Sequence, residues 1–215
     1  MSELEGMSEK EVLEKALIST MDLMKAMKSS ACEENKGHTD LNPMVVVGLD
    51  IKDDEGNEGL GGQVVEMELS KGEHPVDVLP KMLSDLAESG LHQFRFIMFL
   101  VEGFARRATT EEGQKELANL TEDGEYERGA LEKDFHENPA SNVEEGIIGT
   151  AFAWTGESAT LAQFYKYGDD GLPIYDEENA DVTTYDKGNE QQGKVPDVFY
   201  KFIKYCHLVQ MSKSN

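Results

Sequence analysis

Cysteine, basic charge and long apolar runs are all scarce in this chain, and each scarcity removes a class of protein. Only Cys32 and Cys206 are present, neither in a CxxC pair, so a cysteine-rich zinc module is excluded, and their separation in sequence leaves a disulfide between them open but unmotivated. The two read as reduced thiols of a cytoplasmic protein. Cys206, set among Phe202, Ile203 and Val209, reads as a small buried hydrophobe. The longest apolar run, Phe96 to Val101, falls far short of the roughly 20 residues of a membrane helix. The first residues, Met1-Ser2-Glu3-Leu4-Glu5, lack the basic-then-apolar order of a secretory signal.

Familiar reaction motifs are missing as well. The five histidines show no HxH or HExxH spacing, so a zinc site would have to be assembled from distant segments. There is no GxSxG, SxxK or dinucleotide fingerprint. Gly59-Leu60-Gly61-Gly62 lacks the Lys-Ser/Thr of a phosphate loop and leads into a strand instead of a helix. No cofactor is indicated.

What the chain has in excess is acid. Lys and Arg number 20 against 43 Asp and Glu, a formal net charge of -23 over 215 residues. Such a field repels a polyanion, so direct nucleic-acid binding is disfavoured. The surplus is uneven: residues 111 to 190 hold 21 acidic and five basic residues, whereas Lys201, Lys204 and Lys213 follow the last acid, Asp197. Arg95, Arg106 and Arg107 form a second basic grouping, read as edge solubility or a small anion site.

With 39% apolar residues grouped in periodic segments, the length suits one domain, 1–215. Ser8-Glu9-Lys10-Glu11 is a capping box, followed by a stripe of Leu13, Leu17, Met21, Met24 and Met27 that predicts a helix to about Ser29. Met44 to Ile51 and Gly62 to Leu69 read as a hairpin. Leu79, Met82, Leu83 and Leu86 predict a helix from Asp77, with Pro80 in its first turn. Phe94 to Arg106 predicts a strand buried on both faces. Gly146 to Trp154 and Thr160 to Tyr167 predict a second hairpin, one face of which carries the small residues Gly149, Ala151 and Ala153. A final helix opens at Pro196-Asp197, with Phe199, Phe202, Ile203, Cys206 and Val209 in its stripe. Residues 111–145 read as an acidic, partly helical insertion and 176–194 as a mobile polar loop. The expected class is α+β: a mainly antiparallel sheet of about five strands with amphipathic helices packed on it.

Three groups of residues are candidates for function. Asp134 and His136, in the run Asp134-Phe135-His136-Glu137, are the catalytic candidates, since a His beside carboxylates suits general base work; a solvated helix end is the preferred reading. Asp53, Asp54, Glu55 and Glu58 are candidate metal ligands, yet the calcium-loop register fails because Glu58 stands where that loop needs Gly and Val64 where it needs the bidentate Glu. A solvated turn is preferred there too. The partner-binding candidates are Glu122, Asp123, Glu125, Glu127, Glu132, Asp134, Glu137, Glu144 and Glu145. The function expected from them is a non-enzymatic interaction or regulatory protein that engages a basic or nucleic-acid-binding protein, as an inhibitor by nucleic-acid mimicry. The alternatives are an enzyme whose site is assembled from dispersed residues, or acidity that serves solubility alone.

Overall fold

In a computed structural model, residues 6–52, 58–106, 136–137, 143–177, 180, 182–188, 191 and 194–213 are described, without the side chains of Glu58 and Arg106. Among the described residues the main elements follow one another as α1 (Glu9–Asn35), β1 (Met44–Lys52), β2 (Glu58–Glu66), α2 (Pro75–Glu88), β3 (Phe96–Arg106), β4 (Val143–Ala153), β5 (Ser158–Tyr167), β6 (Pro173–Tyr175), β7 (Thr183–Tyr185) and α3 (Lys194–Lys213). The strands form an antiparallel sheet in the order β2-β1-β3-β4-β5-β6, with β7 also on β5. The class is α+β. No helix among the described residues is long and apolar enough to cross a membrane.

Strand alternation divides the core in two, since successive side chains point to opposite faces. Met44 and Val46 of β1, with Phe96, Met98 and Leu100 of β3, turn to one face and meet Leu13, Leu17, Met21 and Met24 of α1. Val45, Val47, Ile97 and Phe99 turn to the other and meet Leu79 and Leu83 of α2 and Phe199, Phe202 and Ile203 of α3. The helices therefore cover both faces. Double coverage explains why β1 and β3 read as continuous apolar runs.

α1 begins as its capping box dictates: the Ser8 hydroxyl accepts from the Glu11 amide, and the Glu11 carboxylate accepts from the Ser8 amide at 2.6 Å. These bonds lower the Glu11 pKa from the usual carboxylate value. The helix runs six residues past Ser29, because its inner face continues with Lys28 and Cys32, each one turn beyond the last. It closes on left-handed Lys36, φ 57°, with the Gly37 amide donating to Cys32 O.

α2 and β2 both begin earlier than the sequence predicts. α2 opens at Pro75, with His74 as its cap, so Pro80 lies inside the helix and the acceptor it forgoes is Val76 O, still near the N-terminus. β2 opens at Glu58, so Gly59, Leu60 and Gly61 belong to the strand as well; a Cβ on Gly61 would stand 3.0 Å from Ile51 Cγ2, and the missing side chain admits that isoleucine. The sheet also has seven strands instead of about five, the additions including Thr183–Tyr185 within the stretch expected as a loop.

Close approach of α1 to β4 needs the small residues on that face, as a Cβ on Gly149 would meet Leu17 Cδ1 at 2.9 Å. Gly48 is tighter still. It pairs across β1–β3 with Phe96, whose ring tip (Cζ, Cε1 and Cε2) occupies the space a Cβ would take. Gly48→Ala is expected to cost about 1–3 kcal/mol of stability, read by urea denaturation, because Phe96 must leave its packed position; an unchanged midpoint would show that the ring moves freely.

Candidate functional site

At one end of the α1 face the alternation that buries apolar side chains instead buries charge. Lys28 follows Met24 by one turn, Glu102 follows Leu100 by two strand residues, and Glu145 precedes Ile147 by two. Each inherits the inward direction of its neighbour. Tyr165 and Tyr167 do the same on β5, and residues 36–43 link α1 to β1 over the cluster.

The Lys28 ammonium has no solvent exposure and donates to Thr39 O at 2.7 Å, with Glu102 Oε1 at 2.8 Å and Asp40 Oδ1 at 3.8 Å. It also lies 5.3 Å from the Tyr165 ring centre and 5.7 Å from that of Tyr167, within cation–π range. Burial alone would pull its pKa down. Hydrogen bonding and charge from Glu102, joined by those from Tyr167, together outweigh burial, and the pKa is raised above the usual lysine value.

Tyr165 joins the two carboxylates. Its hydroxyl is 2.8 Å from Glu145 Oε1 and 3.1 Å from Glu102 Oε1, and the single phenolic proton serves both. Burial, then the charges of Glu102 and Glu145, raise its pKa far above the ordinary tyrosine range, so it acts as a donor. The second Glu102 oxygen accepts from the Leu41 amide at 2.6 Å. At the rim, His38 Nε2 lies 3.4 Å from both Asp40 Oδ1 and Glu145 Oε1, and its ring meets Tyr167 edge-on at 4.7 Å. Tyr175, nearby on β6, donates to Lys25 O at 3.1 Å, and burial pushes its pKa up to about 12.

The residues singled out from sequence are distributed differently. Glu145 is one of the buried cluster, its carboxylate held by Tyr165. Glu144 is half-buried and Glu137 exposed. His136 is exposed, its ring 5.9 Å from that of Phe104. Glu122, Asp123, Glu125, Glu127, Glu132 and Asp134 lie outside the described residues, as do Asp53, Asp54, Glu55 and the Glu58 side chain. Arg95 does not offer an open anion site: it bridges α1 to β1 through Glu9 at 3.0 Å and Asp50 at 3.1 Å. Cys206 is buried, and burial pushes its thiol up to about 11.

Sequence reasoning passed over Lys28, Glu102 and Tyr165. Their signal is phase: a lysine in register with an apolar helix stripe, and a glutamate in register with an apolar strand.

No family model matches the chain, and no curated protein and no solved structure is significantly similar to it.

Proposed function

We propose that the chain is a non-enzymatic, acidic interaction or regulatory protein of the cytoplasm that engages a basic partner, with nucleic-acid-binding proteins the class whose surfaces complement it. In that role it is an inhibitor by nucleic-acid mimicry. One observation carries the reading: bases around α1 are already committed within the fold. Lys10 pairs with Asp186, Lys25 with Glu177, Lys28 with Glu102, and Arg95 with Glu9 and Asp50. With those cations engaged, the excess of 43 acids over 20 bases is left for an external cation to meet. The concentration of that excess in residues 111–145 names the segment to test first.

Affinity capture from the native host at low salt should recover basic proteins that elute as salt rises from about 0.1 to 1 M, over which the screening length falls from about 10 to 3 Å. Recovery of no basic or nucleic-acid-binding protein would end the mimicry reading and leave solubility as the use of the acid.

A second reading, an enzyme, is favoured by the buried cluster, which brings an ammonium, two carboxylates and a phenol within hydrogen-bonding reach of one another. These are groups that proton transfer uses. Their mutual saturation favours the structural role.

A further inference from the structure

The rim of the buried cluster is built differently from its interior. Inside, Lys28, Glu102 and Tyr165 satisfy one another. At the rim, three potential ligand atoms from two distant segments converge: His38 Nε2, a carboxylate oxygen of Asp40 and one of Glu145 lie within 4.8 Å of one another. We propose that these three residues bind a single divalent transition-metal ion of the zinc type.

Geometry supports this first. His38 Nε2 stands 3.4 Å from Asp40 Oδ1 and 3.4 Å from Glu145 Oε1. Ligands about 2.1 Å from a tetrahedral zinc ion are separated by roughly 3.4 Å, so two of the three edges already have the length the ion imposes. The third needs only a rotation of Asp40, whose side chain is 74% exposed.

Charge supports it independently. Asp40 and Glu102 lie 3.8 and 2.8 Å from the one ammonium, Lys28, and Glu145 joins them through the Tyr165 hydroxyl. When ionised they leave two negative charges uncompensated, the charge of one divalent cation. Lys28 cannot supply the difference, because Thr39 O and Glu102 hold it inside.

The surroundings also resemble a ligand shell. Glu145, with 11% side-chain exposure, is oriented by the Tyr165 hydroxyl, an outer partner of the kind that fixes a ligating carboxylate. Tyr167 supports the imidazole edge-on, with its ring centre 4.7 Å from that of His38. Water on the ion would complete four-coordination. His38, at 51% exposure, keeps the rim open to an incoming ion. One imidazole with two carboxylates suits zinc or its first-row neighbours; calcium and magnesium favour all-oxygen shells.

Zinc chloride titrated by calorimetry into the full chain, with a competing chelator to suppress weak carboxylate binding, should show one ion per chain. His38→Ala and Asp40→Asn should each weaken binding at least tenfold, whereas Asp169→Asn, on an exposed turn, should not. Cobalt(II) in place of zinc should give visible bands of a four- or five-coordinate site, and His38→Ala should abolish them. Both ligand variants alter exposed side chains, and an unchanged near-ultraviolet spectrum will confirm folding. Absence of binding, or zinc affinity equal in the wild type and His38→Ala, overturns the proposal. Repeating the partner capture in chelator separates the two readings, as the acidic surface does not need the ion.

Discussion

Lys28→Met is expected to destabilise the protein by about 3–5 kcal/mol, because it leaves Glu102 and Glu145 buried around a phenol with no cation among them. The methionine fits the volume but cannot donate to Thr39 O or Glu102. Urea denaturation reads the loss directly. Lys28→Met/Glu102→Gln should recover part of it, since the second change removes the charge that the first orphaned, and the double-mutant cycle gives the coupling. A loss below about 1 kcal/mol for Lys28→Met would show that the ammonium does not hold the cluster together. Alkaline titration supplies a second signature. Lys28 and Tyr165 both bind their protons more tightly in the folded chain than at the ordinary values of 10.5 and 10.0, so their stabilisation is intact below those values and declines as pH rises past them. The lysine share of that decline should vanish in Lys28→Met.

Phe199→Ala, on the other face, should cost a similar amount, about 3–5 kcal/mol. Its ring has no solvent exposure, stacks on Phe152 at 4.8 Å and approaches Phe99 at 6.5 Å, so truncation opens a cavity between α3 and the centre of the sheet. Rigid strands beneath it limit collapse. The melting temperature should fall on the order of 10 °C, taking roughly 2–4 °C per kcal/mol for a chain of this size. A shift of only a degree or two would mean that α3 is not held by this contact.

Much of the architecture was legible in the sequence because local chemistry and tertiary role agree. Ser8 and Glu11 cap α1 as their spacing dictates. Gly149, Ala151 and Ala153 mark the face that α1 approaches, and Phe96 to Val101 marks a strand covered on both sides. Disagreements arose where a residue's type and its position conflict. Gly59 to Gly61 have the composition of a loop, yet pairing with β1 and the fit of Ile51 hold them in a strand. Lys28 ended the apparent stripe of α1 because lysine is seldom buried, although its phase continued that stripe through Cys32. The rim site was harder, since nothing in the order of residues says that His38 and Glu145 meet across 107 positions. Only the course of the chain from α1 into β1, laid over the end of β4, brings them together.

The placement of the two cysteines makes the molecule its own reporter. Cys32 is buried on the α1 side and Cys206 among the side chains of the α2/α3 layer, with the sheet between them. Each thiol becomes available to an alkylating reagent only when its own layer lifts. Labelling rates at the two positions, distinguished by mass, therefore measure the opening of each layer separately, without any introduced probe.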